Sequence, residues 1–308
     1  MKIKEIFKKQ KRTFSFEFFP PKDYHTAVKF GINAGQLIKL DPSFVTVTYG
    51  AGGSSQENTF DLVDLFHNDL GFVCMAHYTC VGATKEKIAF DMRTLKDMGI
   101  ENVMLLRGDP PKGAKEFPKN PDGFNYASDL IRFVRHKYDF CIGAGAYPEK
   151  HVEAKSMEED LISLRMKVDA GAEFLITQMF FDNQYYWDFV NQAEKKGIRC
   201  RIIPGIIPIT NYKNIKKFAQ ISGAKIPENI QKRMEPYQDK PDEIYKIGLE
   251  LAIEQATDLL ENGAPGMHFY TLNKSRAAID LYDSLSEDFK EVRSRFEKSK
   301  TPHLPNEG

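Results

Sequence analysis

Short runs of β-branched, aromatic and small apolar residues recur along the chain: Thr13 to Phe19, Ser43 to Tyr49, Phe72 to His77, Asn102 to Arg107, Phe140 to Tyr147, Glu173 to Met179, Arg199 to Ile206 and Gly266 to Thr271. Each has strand length, and between successive runs lies a segment long enough for a helix. Asn58 to Leu70, Thr84 to Met98, Ala127 to Lys137 and Ser156 to Ala170 are examples, the last opening on the capping-box pair Ser156 and Glu159. Gly71, Gly99, Gly171 and Gly197 stand where helix gives way to strand, and a left-handed C-cap conformation costs least at glycine. Such alternation makes parallel βαβ units. Eight units without a GxGxxG fingerprint after the first strand predict an α/β fold of the TIM type, a closed (β/α)8 barrel rather than an open dinucleotide-binding sheet. One insertion breaks the spacing: Thr210 to Gly263, between the seventh and eighth strands, predicts two extra helices and a polar stretch, Glu235 to Asp242. Residues 1–308 thus read as a single barrel domain, with an N-terminal extension over 1–12 and a frayed tail over 299–308.

Charge narrows the range of partners. Lys+Arg and Asp+Glu balance at 43 each, so no global field draws the chain to nucleic acid or anionic lipid, and small molecules are the expected partners. Cys74, Cys80, Cys141 and Cys200 form no CxxC pair, and no histidines stand at metal-ligand spacing, which suits a reducing, cytoplasmic setting and no metal. The opening MKIKEIFKKQKRTF is basic and lacks the apolar core of a signal peptide, and no apolar run approaches the ~18 residues of a membrane span.

In a barrel, reactive groups sit at the C-terminal ends of the strands and in the loops that follow. The first run, Thr-Phe-Ser-Phe-Glu-Phe-Phe-Pro-Pro, alternates so that Phe14, Phe16 and Phe18 face the helix layer while Ser15 and Glu17 face the lumen. A carboxyl group among aromatic rings is partly desolvated, which favours its protonated form and suits it to proton delivery; the competing reading is an ion pair with a lysine or arginine of a neighbouring strand. The fourth run ends in Arg107, Gly108 and Asp109. Gly108 lets a ligand approach the backbone, the two charges serve that ligand or pair with each other at the rim, and Pro110-Pro111 stiffens the loop. Thr48 and His77 end the second and third runs, and a lone histidine is more often structural than catalytic. Tyr49-Gly-Ala-Gly-Gly-Ser-Ser55 resembles a phosphate-cradling loop but lacks the Lys-Ser/Thr ending of a P-loop. The fifth run, Ile142-Gly-Ala-Gly-Ala-Tyr-Pro148, has small residues where bulky lumen filling is expected, which suggests something planar near the backbone. It leads to Glu149, His151 and a helix carrying Asp160 and Lys167, which by themselves read as solvated helix charges. Gln178, at the sixth tip, serves either a ring with mixed polar edges or a loop backbone.

Together these tips resemble a known family. Phe16-Glu-Phe-Phe-Pro-Pro21, Val47-Thr-Tyr-Gly50, His77 with Thr79-Cys80, Arg107-Gly-Asp109, Ala146-Tyr-Pro-Glu149, His151, Gln178 with Phe180-Phe-Asp182, Ile203-Pro-Gly205 and His268-Phe-Tyr-Thr-Leu-Asn273 match, in order and spacing, the motifs of methylenetetrahydrofolate reductases from about Phe14 to Ser275. The resemblance implies FAD held by Thr48, His77, Leu106, Arg107, Gly108, Asp109, Ala144, Tyr147, His151, Asp160 and Lys167. It implies a ping-pong reduction of 5,10-methylenetetrahydrofolate to 5-methyltetrahydrofolate by NADH or NADPH, with hydride passing through flavin N5 and the product feeding methionine synthesis. Glu17 would be the general acid that opens the imidazolidine ring, and Asp109 would stabilise the cationic folate. Gln178 would bind the pterin, Phe218 would stack on either substrate and Lys274 would meet the folate glutamate. A homo-oligomer is implied as well.

Two positions depart from the family pattern. Met166 stands beside Lys167 where a second basic residue can occur, and Lys274 replaces a familiar arginine, so a bidentate grip on carboxylate is lost. The C-terminal regulatory domain of the eukaryotic enzymes, and adenosylmethionine inhibition with it, is expected to be missing. Two other functions remain open at this point. A metal-dependent or Schiff-base lyase would share the architecture but lacks a ligand cluster or strand-tip lysine; a non-catalytic folate-binding or partner-dependent subunit is opposed by Glu17, Asp109 and Gln178 occurring together.

Overall fold

The structure is a computed structural model and describes residues 1–49, 56–109 and 120–289. A short helix α1 (Ile3–Lys9) precedes the first βα unit, β1 (Thr13–Phe18) with α2 (Tyr24–Ile38). Then come β2 (Phe44–Val47), α3 (Gln56–Asp64), β3 (Cys74–Thr79), α4 (Lys85–Asp97), β4 (Asn102–Leu106), α5 (Ala127–Lys137), β5 (Cys141–Ala146), α6 (Met157–Asp169), β6 (Phe174–Thr177) and α7 (Asn183–Lys195). The chain continues through β7 (Arg201–Ile203), β8 (Gly205–Ile206), α8 (Tyr212–Ser222), α9 (Glu228–Met234), α10 (Pro241–Glu261), β9 (Gly266–Tyr270) and α11 (Arg276–Ser284). All ladders are parallel, in the order β7-β6-β5-β4-β3-β2-β1-β9-β8. This nearly closed barrel is the α/β TIM-type fold expected from the alternation.

The seventh run differs in detail. It is cut at Pro204, which has no N–H to give a ladder, so β7 pairs with β6 while β8 pairs with β9. The Pro204 carbonyl still accepts from His268 N–H at 2.9 Å. Asn58 to Leu70 also changes character: α3 stops at Asp64 and a π-helical turn, Leu65–Asp69, follows. The four turn glycines all take positive φ: 70° at Gly71, 80° at Gly99, 123° at Gly171 and 78° at Gly197. Ser156 caps α6 by accepting from Glu159 N–H at 3.2 Å. The reciprocal half of the box is displaced by one residue, because Glu159 accepts from Lys155 N–H at 2.8 Å.

Period-two alternation sorts the barrel into two cores. The outward positions of β1, Phe14, Phe16 and Phe18, join the helix layer, where Phe18 meets Phe30 and Phe66 with ring centroids 5.8 and 4.9 Å apart. The inward positions Phe44, Met75, Met104, Cys141, Phe174, Ile176 and Ile203 fill the lumen. The N-terminal extension belongs to this second core: Ile3 and Ile6 are 0% and 4% exposed, and Phe7 meets Phe174 edge-on at 5.2 Å. Polar bonds fix α1 at the barrel foot. Ile3 N–H donates to Asn102 Oδ1 at 2.7 Å, Lys4 pairs with Glu173 at 2.6 Å, and Arg201 donates to the Phe7 and Gln10 carbonyls at 3.3 and 3.2 Å. A barrel closed at its foot by apolar side chains leaves its other end for chemistry.

The insertion holds three helices, not two, because Ile226-Pro227 restarts the chain as α9. The polar stretch is a 3-10 turn, Glu235–Tyr237, and the proline-led start of α10. These helices share a third apolar cluster, in which Tyr212, Ile215, Ile230, Met234 and Ile244 pack with Met179, Phe181 and Ile207 from the tips of the sixth and seventh strands.

Candidate active site

Glu17 lies in the lumen at the upper end of β1, 6% exposed, with Tyr270 and Thr46 beside it in register. Among the described residues neither a lysine nor an arginine pairs with it. Its Oε2 is 3.8 Å from His77 Nε2 and 3.7 Å from His268 Nε2, too far for hydrogen bonds. Burial drives the His77 imidazole down to about 4, against the pull of Glu17 and with the help of His268. At neutral pH His77 is therefore uncharged, and its proximity to Glu17 is no ion pair. His268 Nδ1 is bonded to Ser15 Oγ at 2.8 Å. The result is a buried carboxyl group among polar groups, of which His77 is uncharged.

Tyr270, a residue on which the sequence reading placed no role, spans the lumen. Its hydroxyl donates to the Thr177 carbonyl at 2.6 Å on β6, and its ring stands edge-on to His268 at 5.2 Å. Burial, Glu17 and Tyr147 keep this phenol protonated. Gly205 makes the crossing possible, because a Cβ there would lie 2.3 Å from the Thr177 oxygen and 2.5 Å from the Tyr270 ring. Strand alternation alone could have found Tyr270, since it shares the inward face with His268.

Above this level, among the described residues, two buried polar atoms lack hydrogen-bond partners: His77 Nε2 and Thr48 Oγ1. Buried polar groups are nearly always satisfied, so both ask for an acceptor or donor beyond the described residues. Leu106 and Gly145 border the same lumen, with a Cβ on Gly145 meeting Leu106 at a comfortable 3.5 Å. Ala144 does not face it. The β5 pleat turns Ala144 into the helix layer, fully buried, and presents Gly145 one residue on. Gly108 has φ 90°, and a Cβ there would strike Val81 at 2.7 Å and Thr79 at 2.9 Å. Packing within the protein thus already requires that glycine.

A charged rim flanks the tips of β4 and β5. Arg107 makes a two-pronged pair with Glu153, both N–O distances 2.6 Å, with Asp109 a weaker electrostatic neighbour. Asp160 and Lys167 are not solvated. Asp160 is buried and accepts His151 N–H at 3.0 Å, and Lys167 Nζ, half-buried, donates to the Gly145 carbonyl at 3.0 Å and lies 5.6 Å from the centre of the Tyr147 ring. Burial pushes Asp160 up and both His151 and Lys167 down. Burial also lifts Tyr147 to about 12, with Asp160 and Asp109 adding to the rise. Asp109 is exposed at the edge of this group.

Gln178 uses its Oε1 to accept Met179 N–H at 2.9 Å, which leaves its amide N–H groups as donors. Phe218, on α8, is exposed, and Lys274 is exposed in the turn after β9. Beside Gln178 and Tyr147 lies a crevice of about 10 Å³. Residues 50–55 and 110–119, which follow the second and fourth strands and include Pro110-Pro111 and most of the glycine-rich run, lie outside the described residues. A larger hollow of about 510 Å³ opens between α2 and α11, lined by Gln36, Lys39, Leu40, Arg276, Ile279 and Asp280. Its walls are outer helices, remote from the strand tips, and we place no chemistry there.

The sequence model of the methylenetetrahydrofolate reductases matches residues 2–286. The chain belongs to the methylenetetrahydrofolate reductase family. It is 37% identical over 295 residues to methylenetetrahydrofolate reductase (NADH) 1 of Arabidopsis thaliana, covering 92% of this chain and 50% of the plant protein. With 5,10-methylenetetrahydrofolate reductase of Escherichia coli strain K12 the identity is 35% over 271 residues, covering 88% and 90%. The chain therefore spans about half the length of its plant relatives and nine-tenths of the bacterial one. Among solved structures, a Clostridium thermocellum protein that binds two copies of 5-methyl-5,6,7,8-tetrahydrofolic acid superposes with a TM-score of 0.60 at 14% identity, over 92% of this chain and 97% of that one. That likeness concerns the fold. Within the described residues no helix is long and apolar enough to cross a membrane, and no group of three or more His, Cys, Asp or Glu could hold a metal ion.

Proposed function

We propose that this chain reduces 5,10-methylenetetrahydrofolate to 5-methyltetrahydrofolate, with a nicotinamide dinucleotide as donor and FAD as resident carrier. The observation that carries the reading is Glu17: a buried carboxyl group facing the lumen, with no lysine or arginine paired to it among the described residues, in a chain of this family. The plant relatives' names specify NADH, which makes NADH the first donor to try.

FAD fits the residues present. Thr48 Oγ1 and His77 Nε2 supply the unmatched polar atoms for its ring system, and Gly145 leaves a flat wall where Ala144 was expected to. Arg107, His151 and Lys167 supply cationic groups for a pyrophosphate. His151 and Lys167 lose proton affinity through burial, and a neighbouring phosphate would restore it. Asp160 acts indirectly, by holding the His151 backbone. When bound, FAD would carry electrons from the donor to the folate carbon.

Glu17 would hold a proton and give it to the nitrogen that leaves as the imidazolidine ring opens. Asp109, at the rim, would stabilise the cation so formed. The free amide N–H groups of Gln178 would orient the pterin, Phe218 would stack on it, and Lys274 would meet its glutamate as a point charge. Purified protein should be yellow, bleach with NADH under anaerobic conditions and recover its colour with methylenetetrahydrofolate. A colourless protein that binds folate without turnover would replace the reductase reading with that of a binding module.

A further inference from the structure

β1 ends against two prolines, Pro20 and Pro21, neither of which has an N–H. The last backbone N–H groups before the prolines are thus those of Glu17, Phe18 and Phe19, while beyond them the Pro21 carbonyl accepts Asn58 Nδ2 at 3.3 Å. The Phe18 carbonyl accepts Thr48 N–H at 2.9 Å on the β2 side. The rest is held from the turn after β9. The Glu17 carbonyl accepts the Thr271 hydroxyl at 2.6 Å, and the Asn273 amide takes both polar groups of Phe19, accepting its N–H at 2.8 Å and donating to its carbonyl at 2.7 Å. One side chain replaces the ladder that the prolines cannot continue.

The turn that presents this amide is itself constrained. Leu272 and Asn273 have φ of 49° and 58°, two successive non-glycine residues in the left-handed region, where leucine is rarely found and asparagine is tolerated. The Asn273 N–H donates to Thr271 Oγ1 at 3.1 Å, and its carbonyl accepts from Asn33 Nδ2 at 2.9 Å, which ties the turn to α2. Strained backbone held by surrounding bonds gathers at functional sites. Here the strained pair ends one residue before Lys274, and its Asn273 amide grips Phe19, two residues after Glu17 in the chain.

We propose that Asn273 is a positioning residue for Glu17, and that its amide sets where the proton donor stands in the lumen. The proposal rests on the reductase reading for its consequence, since the position of Glu17 matters to the folate half of the reaction and not to the donor half. Displacing a reacting group by about 1 Å can cost about a hundredfold in rate.

Asn273→Gly is the decisive variant. Glycine accepts the left-handed backbone without strain, so the clamp is removed while the turn is spared; Thr271→Val removes the hydroxyl beneath it as an independent second lesion. In Asn273→Gly, recovery of flavin colour by methylenetetrahydrofolate should slow by about ten- to a hundredfold, with bleaching by NADH within about twofold of wild type. Amide hydrogen exchange at Phe19, measured on the same protein, should quicken at least about tenfold as its acceptor is lost. Equal slowing of both half-reactions, no slowing of either, or unchanged exchange at Phe19 would overturn the proposal. Should the wild-type protein neither bleach nor recover, the reductase reading fails, whereas exchange at Phe19 still decides whether the clamp exists.

Discussion

Replacing Glu17 by glutamine tests the proton donor with almost no change of shape. The carboxyl group makes no short bond to either imidazole, the distances being 3.8 and 3.7 Å, and the strand tip is held through the Glu17 carbonyl and not its side chain. The substitution should therefore leave folding stability within about 1 kcal/mol, as at sites where no strong partner is lost. Chemistry should respond far more. A positioned acid contributes about 100- to 10,000-fold, or roughly 3–5 kcal/mol of barrier, and an amide cannot supply the proton. Anaerobic stopped-flow absorbance separates the two halves: bleaching by NADH reports donor oxidation, and colour recovery with methylenetetrahydrofolate reports folate reduction. Glu17→Gln should keep the first within about threefold and lose the second by the factor above. If both fall together, or if folate reduction survives, Glu17 is not the acid and the lumen geometry has been misread.

Three further outcomes follow from the packing and electrostatics. His77 titrates near 4 in the folded chain against 6.5 unfolded, so the unfolded chain binds more protons between those values; the stability gained from keeping it neutral is complete above pH 6.5 and falls by roughly 3 kcal/mol towards pH 4. His77→Gln should flatten that slope in urea unfolding, and parallel slopes would count against it. Ile6→Ala should cost about 2–5 kcal/mol by emptying the barrel foot, lowering Tm by roughly 5–15 °C for a chain of this size; a drop below about 2 °C in calorimetry would mean α1 is dispensable. Gly205→Ala should destabilise by about 1–3 kcal/mol through the clash with Thr177 and Tyr270, and a neutral result would show that Tyr270 does not cross there.

Sequence pattern carried the βα order, the barrel and the inward turn of Glu17 because those depend on periods of 2 and 3.6 repeated over many residues. What it missed depends on single residues or distant partners. That Ala144 faces the helix layer is not legible, because a strand of small residues carries no hydrophobic pattern to fix which face is inward. The partner of Arg107 is Glu153, 46 positions away in an irregular loop, so the neighbouring Asp109 looked the better match. Asp160 and Lys167 looked like surface charges because helical spacing does not reveal that the segment around His151 folds over them. The plug α1 has only 7 residues, too few for an amphipathic signature to stand out from a basic tail.

On the proposed reading the site separates proton chemistry from anchoring. Around Glu17 the lumen holds a neutral imidazole, a hydroxyl bonded to a second histidine, and a phenol fixed to a carbonyl, none of which supplies a full charge at neutral pH. The formal charges, Arg107 and Glu153 after β4 and β5 and Asp160 and Lys167 on α6 beside them, neutralise one another in part. Coulomb interactions strengthen wherever water is excluded. A cation placed beside Glu17 would hold it ionised and unable to donate. Placing the charges proposed for phosphate binding at the rim would leave the lumen around Glu17, among the described residues, without a lysine or arginine paired to it.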